Sequence, residues 1–249
     1  VGRRLGQHFL ARQSILNRIA AAACDEDDPV AIEIGAGKGA LTECLLSRAR
    51  KVVAIEIDPY LVHYLRGKFR DAVDAGRLVV SEADVLKADL NAWGPATITG
   101  NLPYYITSPI LESVFGMGAN WRRAVFMVQA EVAARLTAGP GGRDFGYLSV
   151  LAQVHARAEI LFPVLRTAFH PPPKVDSAVV RLDPRDSGLS DPAAFLRFAA
   201  LCFRHKRKTL RNNLRPIYGK DHVEQFVEAR VRAEQMSIAE LARLHQSLS

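Results

Sequence analysis

Cysteine is scarce in this sequence of 249 residues. There are three, Cys24, Cys44 and Cys202, far apart and never in a CxxC pair. That spacing supports neither a disulfide framework nor a common zinc site, and the seven histidines form no HExxH motif. No metal is expected. The cysteines read as reduced core residues and the compartment as cytoplasmic. No apolar run approaches the roughly 18 residues that a membrane helix needs, so no membrane partner is expected. The start, VGRRLGQHFLARQ, lacks the apolar core of a signal peptide, although its basic, acid-free character leaves a transit-peptide reading open. Internal repeats, low-complexity tracts and an exposed heptad stripe are missing too, and a monomer is the expectation.

Acids are absent from one long stretch. Between Asp191 and Asp221 there is no Asp or Glu, yet the span carries Arg197, Arg204, Lys206, Arg207, Lys208, Arg211, Arg215 and Lys220. The whole chain has a formal charge of +7 and a pI near 9.5. A solvated helix face usually mixes signs in i,i+4 pairs. The unmixed cluster at Arg204, Lys206, Arg207, Lys208 and Arg211 instead suggests a phosphate-binding surface. Read as part of one helix from Ala193 to Leu214, it puts Arg204, Arg207, Lys208 and Arg211 on a shared face.

What is present begins with alternation. Short apolar runs at 30–34, 52–57, 78–81, 96–99 and 124–129 read as strands, with helical periodicity at 40–49 and 59–69. Such alternation predicts an α/β fold with a parallel sheet and helices on both faces. A last strand is expected at 177–182. The turn-rich segment 183–192 reads as a linker to a small all-helical region, with helices at 193–214, 221–232 and 238–247. The expected domains are therefore 1–183 and 184–249.

Residues 33–39, EIGAGKG, follow the first strand and open a helix. Gly35, Gly37 and Ala40 satisfy the G-x-G-x-x-G/A pattern that lets backbone approach a cofactor closely, and no GK[ST] closes the loop as in a phosphate-binding P-loop. Glu56 ends the second strand, where a carboxylate can accept both hydroxyls of a ribose. That suits NAD and S-adenosylmethionine equally. Asp84 follows the third strand, placed to accept the exocyclic amine of a cofactor adenine or to act as a turn aspartate.

The fourth strand runs into GNLPYY, residues 100–105. An adenine amino group is a poor nucleophile, because its lone pair is delocalised into the ring. Two acceptors, the Asn101 carboxamide oxygen and the Leu102 carbonyl, can take its hydrogens and favour a pyramidal nitrogen. Pro103 stiffens the turn, and Tyr104 offers a flat face for stacking, worth ~1–3 kcal/mol. Positioning and electrostatics would do the catalysis, with no strong base. This reading favours S-adenosylmethionine as cofactor.

These motifs resemble those of the KsgA-type ribosomal RNA adenine N6,N6-dimethyltransferases over nearly the whole chain. The similarity is carried by GQHFL at 6–10, EIGAGKGALT at 33–42, IEID at 55–58, AD at 83–84, NLPYYITSPIL at 101–111, AFHPPPKVDSAVVRL at 168–182 and HKRKTLRNNL at 205–214. It implies a Rossmann-like, S-adenosylmethionine-dependent methyltransferase sheet with a small C-terminal helical domain. It implies cofactor contacts at His8, Leu10, Gly35, Glu56, Asp84 and Asn101, where His8 departs from the asparagine many members carry. It places Phe169 opposite Tyr104 as a second stacking ring. The implied substrate is two adjacent adenosines in the 3′-terminal hairpin loop of small-subunit rRNA, dimethylated within an assembling particle. The basic cluster would grip the rRNA backbone. Other readings stand beside it: a macrolide-resistance type enzyme acting on large-subunit rRNA, a non-catalytic assembly or transcription factor on the same fold, and a NAD-binding oxidoreductase.

Overall fold

The computed structural model describes residues 9–10, 12–103 and 106–248. The strands are β1 Phe9–Leu10, β2 Asp28–Ile34, β3 Ala49–Glu56, β4 Leu78–Glu82, β5 Ala96–Asn101, β6 Trp121–Gln129, β7 Ala156–Val164, β8 Phe169–His170 and β9 Ser177–Pro184. The helices are α1 Gln13–Ala23, α2 Ala40–Leu46, α3 Pro59–Lys68, α4 Arg70–Asp74, α5 Thr107–Phe115, α6 Ala130–Thr137, α7 Tyr147–His155, α8 Pro192–Phe203, α9 Leu210–Tyr218, α10 Lys220–Glu224 and α11 Ile238–Leu248.

Seven strands form one sheet in the order β4-β3-β2-β5-β6-β9-β7. The strands from β4 to β6 run parallel, and β9 enters antiparallel to β6. The sheet is thus mixed, not wholly parallel as the alternation suggested. Several elements lay outside the sequence reading, α1 and β7 among them. The α1 stripe Leu16, Ile19, Ala20 and Ala23 is buried at helical spacing. β7 holds Pro163, which argues against a strand in sequence but is tolerated because β7 is an edge.

The chain order reverses between β2 and β5. From β2 the chain steps outward through β3 and β4, then returns to the other side of β2 as β5. Ligands of such sheets bind at this switch point, beyond the carboxyl ends of the strands. Gly100 lets the two strands close there: a Cβ on it would lie 2.3 Å from the Ile34 carbonyl oxygen, far inside van der Waals contact.

The chain divides by packing into two units, residues 1–133 with 159–184, and residues 134–158 with 185–249. The expected linear split at 183/184 therefore misplaces 134–158, which pack with the C-terminal helices. In the second unit, Phe145 meets Phe203 edge-on at 5.9 Å and Phe198 stacks on His245 at 4.9 Å.

The helix expected over 193–214 is two helices. α8 ends at Phe203, and Arg204 to Lys208 form turns before α9 begins. The basic residues consequently crowd a corner and do not share one helical face. A chemical reason is visible. Asn213, 4% exposed, donates from its carboxamide to the carbonyls of Cys202 at 2.7 Å and His205 at 3.3 Å, satisfying helix-end acceptors that a continuing α8 would have used itself. The Leu210 N–H goes to the Val231 carbonyl at 2.9 Å. Likewise, the helix expected over 221–232 stops at Glu224, and residues 227–230 form a tighter turn.

Asn213→Ala should leave both carbonyls without their side-chain donor and destabilise the protein by about 1–3 kcal/mol. A urea titration with a lower midpoint and unchanged slope is the expected result; an unmoved midpoint would remove Asn213 as the corner's stitch.

Candidate active site

The glycine loop is laid along the end of β3. The N–H groups of Gly35 and Ala36 both point at the Ile55 carbonyl, at 2.9 and 3.3 Å. Gly37, at φ +57°, donates its N–H to Oε2 of Glu56 at 2.8 Å. The other oxygen, Oε1, accepts from the N–H groups of Ile57 at 2.9 Å and Asp58 at 3.0 Å. Glu56 is 3% exposed, and backbone donors replace the water it has lost. A carboxylate has about four lone-pair directions, so about one remains for a ribose hydroxyl, where the sequence suggested two.

Asp84 closes a local turn. Its Oδ1 accepts the Leu86 N–H at 3.0 Å, and its carbonyl accepts from Lys87 and Ala88. The turn-aspartate reading is therefore met. The β3–β4 ladder and the Ala83 N–H bond to the Glu56 carbonyl hold it on the same sheet edge as Glu56. Two residues the sequence reading passed over lie here: Ile57 and Leu86 are apolar yet 50% and 39% exposed. An aliphatic residue one or two positions after each edge carboxylate was the available signal.

Asn101 ends β5, paired with Met127. It lies against the glycine loop: a Cβ on Gly35 would be 3.9 Å from the Asn101 carbonyl oxygen. The Leu102 N–H donates to the Met127 carbonyl at 3.1 Å, which fixes the turn to β6. The Pro103 carbonyl is filled by the Ile106 N–H and the Thr107 hydroxyl, each at 3.2 Å. Among the described residues no donor reaches the Leu102 carbonyl.

Leu10 and Phe169 face each other in the small β1–β8 ladder. Phe169 is 4% exposed and belongs to the apolar cluster with Leu10, Leu16 and Ile19, so its ring is a core ring in this structure and not an open stacking face. His8 and Tyr104 lie outside the described residues. Arg204, Lys206, Arg207 and Lys208 are exposed and Arg211 is half-buried, all in the second unit. The three cysteines are free and buried, and burial pushes the Cys24 thiol up to about 12. Among the described residues no cluster of three His, Cys, Asp or Glu side chains is placed to hold a metal ion.

Glu33 was not anticipated as part of this site. It precedes the glycine loop by two residues, is 2% exposed, and accepts the Thr42 hydroxyl of α2 at 2.5 Å. Burial pushes its carboxyl up to about 8. The nearby Glu56 charge adds to the rise, while the Thr42 hydrogen bond and the Lys68 charge oppose it. At neutral pH this is a largely protonated acid beneath the loop.

A glycine loop after the first parallel strand, an edge carboxylate after the second and an Asn-Leu-Pro turn at the switch point define a Rossmann-like α/β methyltransferase core. The sequence profile described as "Ribosomal RNA adenine dimethylase" matches residues 2–249, and the chain belongs to that family of S-adenosylmethionine-dependent rRNA adenine methyltransferases. It is 43% identical to the ribosomal RNA small subunit methyltransferase A of Acidobacterium capsulatum, over 98% of this chain and 90% of the relative. The crystal structure of a dimethyladenosine transferase from Plasmodium falciparum superposes with a TM-score of 0.78 at 26% identity, covering 97% of this chain and 96% of that one. The 23S rRNA methyltransferase ErmE superposes with a TM-score of 0.69 at 31% identity, covering 96% and 99%.

The buried acid sets a pH dependence. The folded protein keeps the Glu33 proton up to about pH 8, whereas the unfolded chain releases it near its ordinary 4.5. Between those values the native state binds more protons, so this group's contribution to stability falls as pH rises and is flat above about 8. Glu33→Gln has no proton to lose, and its thermal midpoint should decline less over that window. Parallel midpoint curves for the two proteins would show that Glu33 is ionised throughout.

Proposed function

We propose that this protein dimethylates the N6 amino groups of two adjacent adenosines in the 3′-terminal hairpin loop of small-subunit rRNA, acting on the small subunit or its precursor. The observation that carries the chemistry is the turn after β5, where Asn101 sits against the glycine loop and the Leu102 carbonyl has no donor among the described residues. The relative from Acidobacterium capsulatum supports the small-subunit assignment through its description as a small subunit methyltransferase.

S-adenosylmethionine, when bound, supplies an electrophilic methyl group. The residues present fit it: a loop held open at Gly35 and Gly37, an anchored carboxylate at Glu56, a second at Asp84, and exposed aliphatic side chains at Ile57 and Leu86. Glu56 would take a ribose hydroxyl on its remaining lone pair. Asp84 would accept the cofactor's adenine amine on the carboxylate oxygen its turn does not use. By the family resemblance, His8 and Leu10 would add cofactor contacts. At the target base, the Asn101 carboxamide and the Leu102 carbonyl would accept the two amino hydrogens. Those bonds strengthen as the nitrogen pyramidalises and acquires positive charge, so their benefit is greatest at the transition state. Pro103 holds the acceptors in place and Tyr104 would stack on the base. Arg204, Lys206, Arg207, Lys208 and Arg211 would meet rRNA phosphates from their corner in the second unit.

Glu56→Ala should weaken S-adenosylmethionine binding about ten- to a hundred-fold, through the lost charge-assisted bond and the released Gly37 loop. Calorimetric titration checks it, and an unchanged affinity would take Glu56 out of the cofactor site. The substrate assignment is read by supplying labelled S-adenosylmethionine with isolated small or large subunits and mapping the methylated nucleosides. Dimethyladenosine at two neighbouring positions of small-subunit rRNA is expected; label in large-subunit rRNA alone would assign the macrolide-resistance activity instead. Asn101→Ala should abolish most single-turnover methylation while lowering cofactor affinity only modestly.

A further inference from the structure

Where β6 gives way to α6, a cavity of about 440 Å³ opens, lined by Gln129, Glu131, Arg166, Lys174, Val175 and Asp176. All of these belong to the first unit. Its place in the sheet is informative. Met127 pairs with Asn101, and Gln129 lies two residues further along the same strand, about 7 Å at strand rise. The Asn-Leu-Pro turn thus has the glycine loop on its β2 side and this cavity on its β6 side. If the cofactor occupies the first, the polynucleotide carrying the target base has the second open to it.

The wall is built before any ligand arrives. The Ala130 N–H donates to the Asp176 carbonyl at 3.0 Å, and Oδ1 of Asp176 accepts the Arg166 N–H at 2.8 Å. Three consecutive prolines, Pro171 to Pro173, precede Lys174 and fix three φ angles. What faces outward is chemically mixed. Arg166 and Lys174 are exposed and form no ion pair among the described residues. Gln129 offers an amide donor and an acceptor. Val175 is apolar and 45% exposed. The lining also holds two acids: Asp176, whose Oδ1 is engaged by the Arg166 backbone, and Glu131 on α6, which has an interaction of its own.

Two free cations, one amide and an exposed aliphatic side chain match the parts of one nucleotide: a phosphate, a base edge and a base face. The volume lies within the range of about 300–1,000 Å³ found for small-ligand sites. The need for such a site follows from the reaction. Taking a base out of its stack leaves its neighbour unstacked on one side, a cost that new contacts must offset.

We propose that this cavity holds the nucleotide adjacent to the target adenosine, with Arg166 and Lys174 on its phosphate and Gln129 on its base edge. The proposal rests on the substrate reading given above and adds a subsite to it. Both cations are exposed, so Arg166→Ala/Lys174→Ala should fold normally, and its calorimetric affinity for S-adenosylmethionine serves as the control. For small-subunit methylation, KM should rise about ten-fold or more with the loss in KM and not in kcat. The log–log salt slope of subunit binding should fall by about one unit, as for one lost phosphate contact. Gln129→Ala should alter the relative rates on substrates changed at the base beside the target. If wild type methylates small subunits while the double variant keeps its KM and salt slope, the cavity inference is overturned and the substrate reading stands. If wild type methylates no rRNA, the substrate reading fails and the inference falls with it.

Discussion

The carboxylate of Glu56 holds the glycine loop, and the geometry of the candidate site depends on that grip. Glycines give the segment after β2 the freedom to turn at positive φ, and the same freedom would leave it undirected. Three backbone N–H groups converging on one buried carboxylate remove the ambiguity. The carboxylate belongs to β3, whose ladder with β2 fixes its height along the sheet. The loop's shape is therefore set by the neighbouring strand.

A second constraint acts from the other side. β2 and β5 approach so closely at Ile34 and Gly100 that no side chain fits between them. This contact brings the end of β5, with Asn101, against the start of the loop. The Leu102 bond to Met127 then fixes the exit of the turn on β6. The glycine loop and the Asn-Leu-Pro turn are positioned by four adjacent parallel strands, β3, β2, β5 and β6, and strands are stiffer supports than loops. For a reaction that relies on placement more than on acid–base strength, stiffness at this point is what the fold contributes.

Two buried acids share the region and differ in their partners. Glu56 accepts from three backbone N–H donors. Glu33 has the Thr42 hydroxyl as its side-chain partner, and burial raises its carboxyl to about 8. The nearby Glu56 charge adds to that rise, and a neutral acid under the loop avoids a second negative charge beside it.

The sequence by itself determined the local chemistry. Gly35 and Gly37, Glu56, Asp84 and the Asn101-Leu102-Pro103 turn are legible because each follows an apolar run that can only be a strand, and strand ends are where such sheets bind ligands. The family was legible for the same reason, as motifs in a fixed order. What only the tertiary structure decided were matters of partners distant in the chain. The antiparallel entry of β9 depends on a neighbour about 50 residues away. Phe169 is a core ring because Leu10, nearly 160 residues earlier, pairs with it. Residues 134–158 group with the C-terminal helices, although the chain on both sides of them belongs to the first unit. The basic stretch has helical spacing, yet it turns a corner because Asn213 reaches back to the end of α8. Periodicity reports which faces are apolar; it carries no information about which distant backbone group a buried amide will satisfy.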